Sequence, residues 1–236
     1  MMTDTPAYRY AIYFAPLPDT LWWQAGSAWL GRCAANQALV PQPVIAGVSD
    51  AQLLALTAAP RRYGWHATLK APFTLRNGVN VQTLRQALQS LAQEMVAFDL
   101  PPLHASCLDD FLALVPQGNC DALHAVAQAC VTGLHPLAAP LSPAELQRRR
   151  KSNLSSGQDA LLVRWGYPYV MEYFRFHCSL TGSLQGVKAQ QVQALQDGAQ
   201  AWFGALPRCR FDSLALFAEP TAGADMVLVE HVRLRA

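Results

Sequence analysis

Arg61-Arg62-Tyr63-Gly64-Trp65-His66-Ala67-Thr68-Leu69-Lys70 has a counterpart further along the chain, Phe174-Arg175-Phe176-His177-Cys178-Ser179-Leu180-Thr181. Each stretch holds an aromatic, a histidine, any residue, a hydroxyl and a leucine in that order. Each reads as a strand, and the histidines stand 111 positions apart. Side chains alternate across a strand, so residues two apart share a face. One face carries Gly64, His66, Thr68 and Lys70; the other carries Tyr173, Arg175, His177, Ser179 and Thr181. An imidazole, a hydroxyl and a cation therefore recur in each.

Working outward, the segment before the first histidine strand opens with Tyr8 to Ala15, an aromatic and β-branched strand stopped by Pro16 and Pro18. Thr20 caps a helix carrying Leu21, Trp22, Ala25, Trp29 and Leu30 at helical spacing. Val40 to Val48 is a loop, and Ser49 to Thr57 a short helix. The first histidine strand runs from about Trp65 to Leu69 and closes at Pro72. Asn80 to Phe98 is an amphipathic helix, and the strands Leu103 to Leu108 and Phe111 to Val115 form a hairpin. Helices follow from Asp121 to Leu134 and from the capped run Ser142-Pro143-Ala144-Glu145. A short helix begins near Ala160, before the second histidine strand. Val187 to Phe203 is helical, and Arg210 to Ala218 with Met226 to Leu234 makes a second hairpin. The order histidine strand, helix, hairpin thus occurs twice. An internal duplication is expected, giving an α+β fold of two antiparallel-rich sheets with helices outside.

Composition narrows the function classes. Of 236 residues just over half are hydrophobic and 14% are charged, which describes a globular chain with a sizeable core. A net charge of +2 argues against adhesion to nucleic acid by bulk electrostatics. Six cysteines without a C-x-x-C pair read as buried or incidental thiols. Met1 to Pro6 carries no export signal, and no apolar run is long enough to span a membrane. A cytoplasmic monomer is expected.

Two histidine faces across a cleft hold a pair of proton-transfer groups. Thr68 and Ser179 would bond phosphate oxygens, and Lys70 and Arg175 would offset negative charge built up in the transition state. No metal or other cofactor is required, and no third ligand stands at a metal-binding spacing. Tyr13 points into the cleft or into the core, and Tyr63 and Tyr169 flank the histidine strands as substrate contacts. Asp110 is a candidate partner for a histidine ring; parity puts Glu172 on the face opposite His177. The run Arg148 to Lys151 is either a phosphate clamp over the cleft or a solvated helix end. His104-Ala105-Ser106-Cys107 fits the motif loosely, without its leucine or its aromatic, and reads as structural.

His66-Ala67-Thr68-Leu69 and His177-Cys178-Ser179-Leu180 together resemble the signature of the two-histidine (2H) phosphoesterase superfamily. That superfamily includes RNA 2′,3′-cyclic phosphodiesterases and bacterial 2′-5′ RNA ligase-like proteins. The longer flanks, Arg61 to Phe73 and Trp165 to Gly182, with Tyr10 to Pro16, resemble a bacterial branch found with phosphonate-utilisation genes. The resemblance implies one bilobal, pseudo-twofold domain over residues 1–236 with both histidines in a central cleft. It implies hydrolysis of a cyclic phosphodiester, one histidine activating water and the other protonating the leaving oxygen. The substrate is then a nucleoside 2′,3′-cyclic phosphate or a phosphoribosyl cyclic phosphate. A binding module that holds RNA ends or phosphorylated metabolites without turnover is the alternative.

Overall fold

The aromatic run at the start of the chain becomes β1 (Arg9–Phe14), and it is buried on both sides. Tyr10, Ile12 and Phe14 face the main core cluster, while Ala11, Tyr13 and Ala15 face a second, smaller one. This two-sided burial explains why the run is continuously apolar rather than alternating. The computed structural model describes residues 7–236, so the Met1 to Pro6 segment lies outside the described residues.

The strands form one seven-stranded sheet, ordered β4 (Leu103–Leu108), β5 (Phe111–Pro116), β6 (Cys178–Ser183), β2 (Ala67–Phe73), β1, β8 (Ser213–Glu219) and β9 (Val227–Arg233). Every pairing in it is antiparallel. β3 (Phe98–Asp99) and β7 (Arg210–Phe211) pair separately, Phe98 with Phe211 and Asp99 with Arg210. The expectation of two sheets is therefore corrected to one large sheet and a two-stranded ribbon. The joint is the register Ala67↔Cys178 between β2 and β6. A contact between segments so distant in sequence leaves no local signature in either strand.

Among the described residues there are eight α-helices. α1 (Leu21–Leu30), α4 (Val81–Gln93), α5 (Asp121–Leu134) and α8 (Ala189–Gly204) place Trp29, Leu84, Val126 and Phe203 in the main core with Ile12, Leu69, Leu114 and Leu216 of the sheet. Thr20 and Asn80 cap α1 and α4 through their side chains. Ser49, Ser142 and Ser155 close capping boxes on α2 (Asp50–Leu56), α6 (Pro143–Arg150) and α7 (Ser156–Trp165). Each such cap satisfies backbone N–H groups that the first turn leaves without a partner.

α3 (Ala58–Tyr63) occupies a stretch in which the sequence shows no helical period. Tertiary hydrogen bonds hold it. Arg61 donates to the Leu30 carbonyl at 2.7 Å and to the Thr57 hydroxyl at 2.7 Å. Gly64 ends α3 at φ 77, ψ 178, a conformation essentially confined to glycine. A Cβ there would stand 2.6 Å from the Ala34 Cβ. The turn sends Trp65 into the core, where it stacks on Phe203 at 5.2 Å, and sets His66 on the opposite side. Gly26 makes room for the Trp65 ring, since a Cβ there would lie 2.0 Å from it.

Candidate active site

His66 and His177 each immediately precede the first residue of their strand, β2 and β6. Ala67 and Cys178 pair directly across the joint, with side chains buried in the main core. Carried one residue either way, the antiparallel register sets Thr68 opposite His177 and His66 opposite Ser179. All four side chains then point to the other face, and all four line one cavity of about 400 Å³. The remaining wall comes from Arg9, Tyr13, Tyr63, Arg149, Tyr167 and the turn at Asp110 and Phe111, among others.

The two imidazoles are held alike. His66 Nδ1 lies 2.8 Å from the Gly64 carbonyl, and His177 Nδ1 lies 2.8 Å from the Arg175 carbonyl. A carbonyl only accepts, so each Nδ1 carries the proton and each neutral ring keeps Nε2 unprotonated. Thr68 Oγ1, at 3.3 Å, then donates to His66 Nε2. Neither carboxylate considered above orients a ring. Asp110 accepts from the Ser183 hydroxyl at 2.6 Å, and Glu172 is exposed. Backbone carbonyls two residues upstream do that work.

Burial pushes the His66 pKa down to about 4, and the nearby charge of His177 adds to the fall against the pull of the Gly64 carbonyl. Burial likewise lowers His177, aided by Arg175. Both rings therefore rest neutral near neutrality, and protonating one disfavours protonating the other, so the pair takes up its protons one at a time as pH falls. Tyr13 stacks on His66 with ring centroids 3.9 Å apart. Its hydroxyl is buried without a hydrogen-bond partner among the described residues, and burial holds its pKa well above the usual phenol value. It stays a neutral donor. Tyr13 thus packs in the smaller core and lines the cavity as well.

The low His66 value has a consequence for stability. Unfolded, the ring titrates near 6.5; folded, it takes a proton only near pH 4. Between those values the unfolded chain binds the extra proton, so the contribution is whole above 6.5 and drains away as pH falls towards 4. His135, His177 and His231 are also lowered and act in the same direction. Thermal unfolding is expected at a lower temperature at pH 5 than at pH 7.5, and His66→Asn should narrow the gap. An equal gap in that variant would exclude His66 as a source.

Two residues that the sequence puts beside the histidines do not line their cavity. Arg175 is exposed, in an unpaired segment where strand parity assigns no face. Lys70 shares parity with Thr68, but the β1–β2 register runs Tyr13↔Thr68 and then Ile12↔Lys70. One extra residue in β2 breaks the alternation and turns Lys70 towards a neighbouring cavity. Tyr63 does line the histidine cavity, its ring 6.2 Å from His66. Tyr169 is exposed and meets the Tyr167 ring edge-on instead.

Arg149 reaches the cavity from α6, with its guanidinium 5.8 Å from the Tyr167 ring centroid. Its Nε is buried and has no hydrogen-bond partner among the described residues. The basic run is thus divided. Arg149 turns in, while Arg150 turns out to pair with Asp159 at 2.6 Å. Arg9 and Tyr167 are further lining residues that the sequence gives no reason to single out; each depends on which strands and loops meet. Among the groups the cavity brings together are the two imidazoles, the hydroxyl residues Thr68, Ser179 and Tyr13, and Arg149.

Two curated relatives align over most of the chain. One, from Janthinobacterium sp. (strain Marseille), is named ribose 1,5-bisphosphate phosphokinase PhnN; it is 41% identical over 222 residues, which cover 93% of this chain and 49% of that protein. The other, from Laribacter hongkongensis (strain HLHK9), bears the same name and is 39% identical over 226 residues, 96% of this chain and 52% of that protein. The chain spans about half the length of these relatives. A family model described as "Protein of unknown function (DUF1045)" matches residues 68–227, more than half of the chain, and the protein belongs to that family.

Proposed function

We propose that the chain hydrolyses a cyclic phosphodiester without a metal, using His66 and His177 as a general acid–base pair in the manner of the 2H phosphoesterases. The observation that carries this reading is the matched anchoring of the rings. Each Nδ1 is committed to a carbonyl two residues back, which leaves both Nε2 atoms to one cavity. One Nε2 takes a proton from water as its oxygen bonds to phosphorus. The other, which enters the step as the imidazolium after taking one proton from solvent, gives its Nε2 proton to the ribose oxygen as the phosphorus–oxygen ring bond breaks. The products are a phosphate monoester and a free hydroxyl; the pair's total charge is unchanged, and exchange with solvent returns the proton to the ring that began with it. Ser179 and Tyr13 donate to non-bridging oxygens, joined by Thr68 once substrate draws its hydroxyl from His66 Nε2, and the Arg149 guanidinium offsets their charge.

The recurrence of element order also supports a pseudo-twofold, duplicated origin for the site. β2, α4, β3, β4 and β5 follow one histidine, and β6, α8, β7, β8 and β9 follow the other. In this reading the two halves meet at Ala67↔Cys178, and the site lies on their axis.

The name of the two relatives points to the substrate. Ribose 1,5-bisphosphate is what results when water opens a 1,2-cyclic phosphate of ribose 5-phosphate at the 2-oxygen. We take that phosphoribosyl cyclic phosphate, and with it a place in phosphonate metabolism, as the favoured substrate over a nucleoside 2′,3′-cyclic phosphate. The kinase activity in the name we assign to the half of the relatives that this chain does not span. No Gly-x-x-x-x-Gly-Lys-[Ser/Thr] loop occurs in the 236 residues.

The test is a panel of ribose 1,2-cyclic and nucleoside 2′,3′-cyclic phosphates, assayed with and without EDTA. Turnover unchanged by the chelator is expected. Binding of these compounds with no product would support the binding module instead, and loss of turnover in EDTA would overturn the metal-free mechanism.

A further inference from the structure

A second cavity, of about 610 Å³, adjoins the histidine cavity, and Arg9, Ala71, Pro72 and Tyr167 line both. Its other walls carry Lys70, Arg76, His135 and Arg164, with Glu145 as the single carboxylate. That carboxylate is already used, accepting from the Ser142 backbone and hydroxyl at the start of α6. Among the described residues, no carboxylate forms an ion pair with Lys70, Arg76 or Arg164. Lys70 is only 4% exposed, and its ammonium has just a 3.5 Å contact with the Val131 carbonyl and the face of Phe73 at 4.9 Å. His135 Nδ1 is buried with no partner among the described residues.

An uncompensated cation in a buried wall costs free energy, and proteins offset that cost with an opposing charge. Here the fold supplies none. The charges are also close enough to be felt together, since Lys70, Arg76 and Arg164 all add to the burial that lowers the His135 pKa. Burial brings Lys70 itself down to about 8. In a chain whose net charge is only +2, this concentration is local.

We propose that the second cavity binds a phosphate monoester on the same small substrate whose cyclic phosphate sits at His66 and His177. This rests on the cyclic phosphodiesterase reading and deepens it. The substrate class becomes a sugar that carries a cyclic phosphate at one end and a terminal phosphate at the other. Arg76 and Arg164 bind the terminal phosphate at the exposed rim, and Lys70 and His135 bind it from the buried wall. Arg9, which lines both cavities, marks the passage between them.

Ribose 5-phosphate is the probe, because it has the terminal phosphate and no cyclic one. Calorimetric titration is run on the intact protein and on an Arg76→Ala/Arg164→Ala variant; both residues are exposed, so the variant should fold. Lys70→Met, which keeps the bulk of the stem, is the second variant. Each is expected to weaken ribose 5-phosphate by about tenfold or more, the scale of one charge-assisted contact. Affinity equal to wild type in both variants would overturn the proposal. So would a 5′-phosphorylated oligoribonucleotide that binds far more tightly than ribose 5-phosphate and loses that advantage in the variants, since the cavity would then serve RNA.

A kinetic comparison runs in parallel on ribose 1,2-cyclic phosphate with and without a 5-phosphate. The intact protein should show the lower KM for the phosphorylated compound, and the arginine variant should bring the two KM values together. A variant that raises both equally would also overturn the subsite. If nothing turns over, the hydrolase reading fails, and the ribose 5-phosphate titration still decides whether the cavity holds phosphate.

Discussion

Alanine at either His66 or His177 is expected to lower turnover of a cyclic phosphate by about 10²–10⁴-fold, the usual weight of a positioned acid or base. KM should change little, since the hydroxyls of Thr68, Ser179 and Tyr13 and the Arg149 guanidinium remain. The double variant should be little worse than either single one, because the two rings act on one proton transfer and removing either stops it. Unfolding should remain cooperative in all three. Neither ring is a core residue; the strands are held by Trp65, Ala67, Leu69, Cys178 and Leu180 on the opposite face. Asparagine is the informative second substitution. Its amide can reproduce the Nδ1–H bond to Gly64 or Arg175 but cannot exchange a proton near neutrality. If His66→Asn kept full turnover, the ring would be structural and the acid–base reading would fall. Full activity in the double alanine variant would end it outright.

How much of this was legible in the sequence depended on the range of the interaction. Short-range patterns fixed most elements. Thr20, Ser49, Asn80 and Ser142 cap the helices that their spacing predicts, although the Asn80 helix stops at Gln93 and Phe98, expected at its end, pairs in β3 instead; Phe111 follows the Asp109-Asp110 turn into a hairpin as expected. The histidine motif itself is local, so His66 with Thr68 and His177 with Ser179 could be read directly. What brings the two pairs together is the Ala67↔Cys178 register, and nothing near either residue announces it. The same limit hid α3, which Arg61 ties to Leu30, Leu54 and Thr57 without any apolar period of its own. Lys70 shows a subtler failure. Alternation was the right rule for β2 and gave the right face for His66 and Thr68, but one additional residue in the ladder ended its reach. Pro72, read as the end of that strand, lies within it. The two readings of Arg148 to Lys151 could not be separated in advance, because the choice depends on where α6 docks.

Glu219→Ala is expected to cost about 3–5 kcal/mol of stability, the range for breaking a buried ion pair by removing one partner. Glu219 is wholly buried at the end of β8, directly across the ladder from Arg9. Its Oε2 accepts from Arg9 Nε at 2.6 Å, and its Oε1 accepts from Arg62 Nη2 and from the Gly223 backbone N–H at 2.9 Å. One carboxylate therefore holds two guanidiniums whose side chains are only 16% and 29% exposed, and it fixes the turn between β8 and β9 as well. Without it, both guanidiniums lose their shared counter-charge. Glu219→Gln keeps the shape and the Gly223 bond but not the charge, and should fall between wild type and alanine. The denaturant midpoint should shift with an unchanged slope, which separates lost stability from a changed unfolded state. An unshifted midpoint for the alanine variant would mean that the arginines find other partners. The effect should also reach the site. Arg9 lines both cavities, and Arg62 lies over the Tyr63 ring at 5.2 Å, so the ion pair sets one wall of the histidine cavity from outside it. In glutamine-substituted protein that still folds, KM for a cyclic phosphate should therefore move while the pH dependence set by His66 and His177 stays in place. That split distinguishes a residue that positions the wall from one that takes part in the proton transfer.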